Sequence, residues 1–284
     1  MICFKMLGDT KIETIHIAFV EAFSDYQVKI DLPFWKFHQM LKRRGFHPEL
    51  SIGAFENERL VAFVLNGFRD WYGKNTVYDL GTGVVADYRR RGITSKMLQR
   101  IKEIMREKGI DQYLLEVLQT NESAVSLYQK QGFFIQRTFH CYHMEKKDLA
   151  QRSTYNVVSH SPNSVNLDML NELWDFNPSW QNSMDSVKAV SEDFHYSIVK
   201  ENDKVIGYGI IDKKTGDIPQ IAVHKEHRRK GIASSILSEL AKNTDAMKLS
   251  ILNIETPLKS MEEFLLKMGF TSYVGQYEML YKVE

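Results

Sequence analysis

Residues Val84–Leu98 read VVADYRRRGITSKML, and nearly the same pattern returns as VHKEHRRKGIASSIL at Val223–Leu237. The two stretches align without gaps at an offset of 139 residues, and both have two arginines, a glycine and an isoleucine in the same places. A second pair of segments, YQKQGF at Tyr128–Phe133 and LLKMGF at Leu265–Phe270, lies at an offset of 137 residues. Two matched blocks in the same order and at nearly the same spacing indicate that the chain contains two copies of one domain.

Length and composition agree with such a duplication. The chain has 284 residues, which suits two domains of about 140 residues each. The polar segment Gln151–Asn156 lies between the copies, and we therefore expect domains at residues 1–148 and 153–284. With 43% hydrophobic and 26% charged residues the composition is typical of globular protein, and a formal net charge of +1 does not favour nucleic acid as a partner.

The sequence lacks the signals of export, membrane insertion and metal binding. Its N-terminal segment carries charges throughout and has no apolar core of a signal peptide, and no stretch approaches the roughly 18 apolar residues of a membrane helix. Cys3 and Cys141 are the only cysteines, so no CxxC pair marks a zinc or redox site. We therefore expect a cytoplasmic protein with no metal and no membrane contact.

Apolar periodicity predicts the same order of elements in both copies. In the first copy, helical spacing covers Lys11–Phe23 and Phe34–Arg44, and apolar strands flank the hairpin signal Glu56-Asn57-Glu58. A further strand precedes the arginine-rich turn, and a helix with a regular apolar face follows it. The order β-α-α-β-β-β-α-β-α-β predicts a mixed α/β fold, in which each copy has a twisted, mostly antiparallel sheet flanked by helices.

A strand, a basic turn and a helix in succession are typical of an anion-binding site. The first N–H groups of a helix have no partner within the helix, and the helix dipole is positive at that end. A glycine lets an anion approach the backbone, and arginines add charge and paired donors. Neither GxxxxGK[ST] nor GxGxxG is present, so the turn is not that of a nucleoside triphosphatase or of a dinucleotide-binding fold.

The arginine-rich turn resembles the R/Q-x-x-G-x-G/A signature of the GNAT superfamily of acyl-CoA N-acyltransferases. The second copy, RRKGIA at Arg228–Ala233, matches that signature fully, and the first, RRRGIT at Arg89–Thr94, has a small hydroxyl residue in the last position. The later family pattern, L-E-V…N-x-x-A-x-x-L-Y-x-x-x-G-F, is matched by Leu115-Glu116-Val117, Asn121, Ala124, Leu127-Tyr128 and Gly132-Phe133. The resemblance covers both halves and implies two tandem GNAT-like domains.

The resemblance implies that acetyl-CoA is the acyl donor. Its pyrophosphate would lie on the signature turn, its pantetheine arm would pair with the backbone just before that turn, and an asparagine further on would contact the arm or order water. The implied cofactor-binding residues are Val84, Val85, Ala86, Arg89, Arg90, Arg91, Gly92, Ile93, Thr94 and Asn121.

The resemblance also implies an N-acetyltransferase that moves the acetyl group directly to a small-molecule or peptide amine. Tyr128 matches the family's usual acid, since a phenol is protonated at neutral pH and donates a proton to the leaving thiolate. Glu116 matches the carboxylate that some members use as the base, and Asp79 and Asp25 are rivals for that role. Asp25, Tyr26 and Asp79 are also candidates for contact with the acceptor, because aromatic faces and carboxylates suit a cationic amine.

The second copy retains the anion turn but not the acid. Leu265 stands where Tyr128 stands, and a leucine cannot protonate a thiolate. The counterpart of Glu116 is either Glu255 or Asn253, depending on where the offset between the copies changes. We therefore expect catalysis in the N-terminal domain and a degenerate C-terminal domain. The alternative hypothesis is a non-catalytic protein that senses or binds acyl-CoA.

Overall fold

The computed structural model describes residues 1–26, 31–151, 153–160 and 166–283. The chain divides into two compact units, of which the first comprises residues 1–136 with 277–284 and the second comprises residues 137–276. These units begin and end at other residues than the domains expected at 1–148 and 153–284, because the last residues of the chain belong to the first unit. Arg152, within the predicted seam, lies outside the described residues.

The first unit is a sheet flanked by helices, as the sequence predicts. The first five strands of the chain all belong to this unit: β1 (Ile2–Met6), β2 (Ile52–Glu56), β3 (Arg59–Asp70), β4 (Asn75–Val84) and β5 (Gln112–Leu118). Its helices are α1 (Ile12–Ala22), α2 (Phe34–Arg44), α3 (Ile93–Glu107) and α4 (Glu122–Lys130). Strands β1 to β4 pair antiparallel with their neighbours, and β5 is parallel to β4. The prediction of a mixed α/β fold with mostly antiparallel sheets is confirmed.

Local sequence explains where these elements begin and end. Asn57 and Glu58 have φ values of 47° and 70°, the left-handed pair that a two-residue hairpin between β2 and β3 requires. Helix α2 ends at Arg44, and the next residue, Gly45, closes its last turn with a left-handed φ of 74°. Helix α4 begins after Asn121, whose side-chain oxygen accepts a hydrogen bond from the backbone N–H of Ala124 at 3.2 Å. The apolar face of α3 packs on the sheet and forms the core of this unit.

The second unit contains a four-stranded antiparallel sheet and, apart from it, the strand β6 (Phe134–Glu145), which lies between β12 (Thr271–Lys282) and β11 (Lys248–Glu255). The strands of the sheet are β7 (Val158–His160), β8 (Phe194–Glu201), β9 (Lys204–Asp212) and β10 (Gln220–Val223). The first residues of β6 and the last residues of β12 are counted with the first unit. Its helices are α5 (Met184–Ala189), α6 (Ile232–Lys242) and α7 (Lys259–Lys267). The sheet has the order β10-β9-β8-β7, and β6 pairs antiparallel with β11.

The early part of the second unit departs from the predicted repeat. Short 3-10 turns at Leu167–Leu173 and Trp180–Asn182 and the six-residue α5 lie in the positions of the two longer helices of the first unit. The stretch 177–183 reads NPSWQNS, and its proline, asparagines and serines favour turns over a long helix. Within the described residues no helix is long and apolar enough to cross a membrane.

Both units open a gap beside the basic turn. Strand β4 continues to Val84, but its parallel pairing with β5 ends at the pair Tyr78 and Leu114. In the second unit the corresponding contact is the single bridge between Asp217 and Ser250. Beyond these points the neighbouring strands diverge, which leaves one edge of β4 and of β10 without a partner strand among the described residues.

Candidate active site

The basic turn has the same backbone shape in both units. Arg90 and Gly92 are left-handed, with φ values of 61° and 72°, and the equivalent Arg229 and Gly231 have values of 63° and 90°. The alternation of left-handed and ordinary residues bends the chain directly into the start of α3 or α6. An added Cβ at Gly92 would meet no atom within 4 Å, so the backbone at this position is open to an approaching group.

Arg89 holds the turn in place through hydrogen bonds to neighbouring residues of the first unit. Its Nε donates to the carbonyl oxygen of Val84 at 3.0 Å, and its Nη2 donates to the carbonyl oxygen of Ala22 at 2.9 Å. Both terminal nitrogens also bind the carboxylate of Asp25, at 2.6 and 2.7 Å. The hydrogen bond from Arg89 keeps the pKa of Asp25 below its ordinary value. Both predicted roles of Asp25, acceptor contact and base, compete with this structural role, since both of its oxygens are engaged.

In the second unit, Arg228 makes equivalent hydrogen bonds. Arg228 donates from Nε to the carbonyl oxygen of Val223 at 3.0 Å and from Nη2 to Asp175 Oδ1 at 2.8 Å. The recurrence shows that the first arginine of the signature ties the turn to the end of the preceding strand. The second arginine is different, because Arg90 and Arg229 have no side-chain partner among the described residues and are available to an anion.

The third arginine and the residues before the turn are also placed by local contacts. Arg91 donates to the carbonyl oxygen of Asp87 at 2.6 Å and lies over the ring of Tyr88, 5.0 Å from its centroid. Val85 donates its N–H to the carbonyl oxygen of Val61 at 2.9 Å, and the chain then enters a short 3-10 turn at Ala86–Tyr88. The predicted pantetheine-binding residues therefore lie at the end of β4, where its edge toward β5 has opened.

The structure brings Tyr128 and Asp79 together. Tyr128, on α4, is 7% exposed, and its hydroxyl donates to Asp79 Oδ2 at 3.3 Å. Asp79, on β4, also accepts from Thr82 Oγ1 at 2.6 Å and from the backbone N–H of Gly81 at 2.8 Å. Burial raises the pKa of Asp79 to about 6 in spite of these donors. Burial and then the Asp79 charge raise the pKa of Tyr128 well above its ordinary value, so the phenol is protonated at neutral pH.

Glu116 has a different neighbour. It lies on β5, where the buried hydroxyl of Tyr78 donates a hydrogen bond to its carboxylate. Burial, followed by the charge of Glu116, raises the pKa of Tyr78 well above its ordinary value. Of the two candidate bases on β4 and β5, Asp79 is therefore the one hydrogen-bonded to Tyr128.

Two residues that the sequence did not single out complete the buried polar cluster around Tyr128. The hydroxyl of Tyr113 donates to Asn66 Oδ1 at 2.6 Å, and the Asn66 amide donates to the carbonyl oxygen of Leu50 at 2.6 Å. Burial and then the Asp79 charge raise the pKa of Tyr113 well above its ordinary value. The available signal was an asparagine within the otherwise apolar strand VAFVLNGF, because a buried amide needs partners.

Tyr26 and Asn121 lie at the edge of this cluster. The Asn121 side-chain amide donates to the Tyr26 hydroxyl at 3.4 Å, while its oxygen caps α4. Tyr26 is also close enough to Tyr128 to contribute to the rise of its pKa. Four predicted site residues, Tyr26, Asp79, Asn121 and Tyr128, thus share one region of the first unit.

Family models match both halves of the chain. The model described as "Acetyltransferase (GNAT) family" matches residues 13–133, and the one described as "Acetyltransferase (GNAT) domain" matches residues 192–272. Together the two matches cover well over half of the chain.

Curated relatives align with part of the chain only. N-alpha-acetyltransferase 30 of Schizosaccharomyces pombe is 29% identical over 103 residues, which are 36% of this chain and 68% of that protein. N-alpha-acetyltransferase 50 of Danio rerio is 36% identical over 91 residues, 32% of this chain and 54% of that protein. Thialysine N-epsilon-acetyltransferase of Sus scrofa is 37% identical over 65 residues, 23% of this chain and 38% of that protein.

Solved structures extend the similarity of fold to the whole chain. A tandem GNAT protein from the clavulanic acid biosynthesis pathway superposes with a TM-score of 0.73 at 13% sequence identity. The superposition covers 100% of this chain and 99% of that one. At this level of identity the likeness concerns the fold.

Proposed function

Because the chain belongs to the GNAT family of acetyltransferases, with one GNAT domain in each half, we propose that its first unit transfers the acetyl group of acetyl-CoA to an amine. The observation that carries this proposal is the hydrogen bond between Tyr128 and Asp79 inside a buried polar cluster. A proton donor and a proton acceptor in direct contact are what this transfer needs, since one proton must leave the amine and one must reach the sulfur.

The proton movements balance within this pair. A neutral amine attacks the thioester carbonyl carbon, and Asp79, as a carboxylate, accepts the proton that the nitrogen loses as the C–N bond forms. As the C–S bond breaks, Tyr128 donates its proton to the sulfur, and the protonated Asp79 returns a proton to the phenolate through their shared hydrogen bond. The products are the acetylated amine and CoA as a thiol, and both side chains regain their starting states. An amine that arrives as ammonium first loses a proton to water, because its pKa is about 10.4.

The residues around the basic turn fit the phosphates of acetyl-CoA. Arg90 carries a charge that no described side chain neutralises, the first N–H groups of α3 point out of the helix start, and Gly92 leaves the backbone accessible. The unpaired edge of β4 offers backbone groups to the amides of the pantetheine arm, in the manner of an added strand. Arg89 supports this arrangement by holding the turn against Val84 and Asp25.

We assign the role of the base to Asp79, and Glu116 is the alternative. The support is the contact with Tyr128 and a pKa of about 6, which leaves the Asp79 carboxylate mostly ionised at pH 7 yet able to accept a proton. Glu116 binds the Tyr78 hydroxyl instead. The proposed acceptor is a small-molecule or peptide amine, a class to which the names of the relatives point.

An assay of thiol release tests this function. Full-length protein with acetyl-CoA should release free CoA only when an amine is added, across a panel of small amines and peptides with free N-termini. Tyr128→Phe and Asp79→Asn should each lower the rate by about 10²-fold or more, and Glu116→Gln should lower it less. No release with any amine in the panel, or full release by Tyr128→Phe, would contradict the proposal.

A further inference from the structure

A lysine is buried beside the helix that carries Tyr128. Lys102 belongs to the buried face of α3 and is only 8% exposed, although a protonated amine is costly to remove from water. Its Nζ donates to the backbone carbonyl oxygen of Gln131, the residue that follows α4, and to the side-chain oxygen of the same residue at 3.1 Å. The proton transfers of the proposed reaction make no use of this amine.

Two aromatic rings complete the surroundings of this amine. The Lys102 Nζ lies 4.4 Å from the ring centroid of Tyr281, on β12, and 5.6 Å from that of Phe133. The Phe133 ring in turn meets the Tyr128 ring edge-on, with 5.6 Å between the two centroids. Because a cation is attracted by the faces of aromatic rings, the ammonium group holds Phe133 on one side, while Phe133 packs against Tyr128 on the other.

The turn at the end of α4 forms in the second unit as well, at the end of α7. In the first unit the carbonyl oxygen of Tyr128 accepts hydrogen bonds from the N–H groups of the third and fifth residues after it, both at 3.0 Å. In the second unit the carbonyl oxygen of Leu265 accepts from Met268 at 3.1 Å and from Phe270 at 3.0 Å, which are the third and fifth residues after it. The same backbone turn therefore forms in both units.

The second unit has a small apolar residue in place of the buried lysine. At the offset of the basic turn, Ala241 on α6 takes the position of Lys102, and it is buried as well. The lysine is thus present in the unit that has Tyr128 and is replaced in the unit that has Leu265 at that position. Since the helix end forms in both units, folding of this turn does not account for a buried charge at Lys102.

The contact between Tyr128 and Asp79 depends on where the phenol ring lies. The hydroxyl donates to Asp79 Oδ2 at 3.3 Å and so joins α4 to β4. Phe133 packs against the rings of both Tyr128 and Tyr113, with 5.6 and 5.3 Å between the centroids. A shift of Phe133 would therefore move the phenol away from Asp79. A displacement of about 1 Å can lower the rate of an enzyme by about 10²-fold.

We propose that protonated Lys102 is a positioning residue for acetyl transfer, because it fixes the end of α4 and the Phe133 ring and so holds Tyr128 at Asp79. This inference rests on the proposed function, in which Tyr128 is the proton donor. Lys102 acts through the Phe133 ring and the helix end rather than on the substrate. Its charge is essential to that action, since a neutral amine is attracted much less by aromatic faces and by the carbonyl end of a helix.

The charge of Lys102 depends on pH in the alkaline range. Burial, followed by the charge of Arg106 one turn further along α3, lowers the pKa of Lys102 to about 8. On β12 the titratable group next to the amine is Tyr281, whose hydroxyl accepts from Arg106 Nη2 at 3.1 Å. The residue after α4 that binds the amine, Gln131, is uncharged. The wild-type kcat should therefore fall as the pH rises through about 8, where Lys102 loses its proton.

Amine-dependent CoA release by the full-length chain tests the proposal. Lys102→Met keeps the length of the side chain without its charge, so kcat at pH 7 should fall by roughly 10-fold or more while the KM for acetyl-CoA is unchanged. Lys130→Met is the matched control and should keep the wild-type rate, because this lysine is exposed at the end of α4. The fall of kcat above pH 8 should be absent from Lys102→Met and from Lys102→Arg, which stays protonated. Calorimetric titration with acetyl-CoA checks that each variant is folded.

The double variant Lys102→Met, Tyr128→Phe separates this inference from the proposed function. If the lysine acts through Tyr128, adding Lys102→Met to Tyr128→Phe should lower the rate hardly any further. An unchanged kcat in Lys102→Met, a fall above pH 8 that remains in this variant, or losses that multiply in the double variant would overturn the positioning role. A wild-type rate in Tyr128→Phe alone would instead contradict the proposed function.

Discussion

Replacing Asp79 by asparagine should make the protein less active and more stable at neutral pH. The side chain keeps its shape, but the charge that accepts the amine proton is removed. Because general base catalysis contributes about 10²–10⁴-fold, kcat should fall by at least about 10²-fold, equivalent to about 2.7 kcal/mol. The wild-type kcat should rise with pH through about 6 and then level off, since the base works only as the carboxylate. That rising limb should be absent from the variant.

The stability of the same variant follows from the direction of the pKa change. Burial raises the pKa of Asp79 from 3.8 to about 6, so the folded protein holds this proton more tightly than the unfolded chain does. Protonated Asp79 therefore stabilises the folded state fully below about pH 4. As pH rises through about 6 this contribution is lost, and the free energy of unfolding falls by about 3 kcal/mol. Asp79→Asn avoids this cost, so it should unfold at a higher denaturant concentration than the wild type at pH 7.5. The difference should shrink toward pH 4.

Steady-state rates between pH 5 and 8 and urea unfolding over the same range measure both effects, with Glu116→Gln as the matched control carboxylate. A variant with the wild-type rate and pH profile would remove Asp79 from the mechanism. Equal or lower stability at pH 7.5 would show that its carboxylate is not penalised by burial.

Three further changes test other parts of the site. Tyr128→Phe should lower kcat by about 10²–10⁴-fold and leave the KM for acetyl-CoA nearly unchanged, as measured by stopped-flow and steady-state rates. An unchanged kcat, under conditions in which the chemical step limits the rate, would show that this tyrosine only packs in the core. Gly92→Val places a β-branched residue at a φ of 72°, which strains the turn. Calorimetry should show that acetyl-CoA binds roughly 10-fold or more weakly, a loss of at least about 1.4 kcal/mol. An unchanged affinity would show that the turn does not bind the cofactor. Asp25→Asn weakens the hydrogen bonds that hold Arg89 and should raise the KM for acetyl-CoA with a smaller effect on kcat. If only the KM for the amine rises, Asp25 contacts the acceptor instead.

Periodicity and internal repetition predict most of the fold because both depend on local sequence. Helix α2 begins and ends at the predicted residues Phe34 and Arg44, and Asn121 caps α4 as expected. The division of the chain could not be predicted in this way, because residues 277–284 belong to the first unit, and their strand β12 lies beside β5, which is more than 150 residues earlier in the sequence.

The candidate site was partly predictable for the same reason. Tyr128 and the turn Arg89–Thr94 lie within short motifs that are visible in the sequence. The contact between Asp79 and Tyr128 joins residues 49 positions apart and depends on the register of β4 and on the packing of α4. The pairing of Arg89 with Asp25 spans 64 positions, so the sequence predicts an acceptor contact or a base at Asp25 and does not reveal its hydrogen bonds to Arg89.

The most direct test of the central claim is the rate of amine-dependent CoA release by the full-length double variant Asp79→Asn, Tyr128→Phe. Because the two side chains form one proton-transfer pair, the double variant should be about as slow as the slower single variant, and its loss should be far smaller than the product of the two single losses. Release at a near-native rate, or losses that multiply as for independent residues, would contradict acetyl transfer by this pair in the first unit.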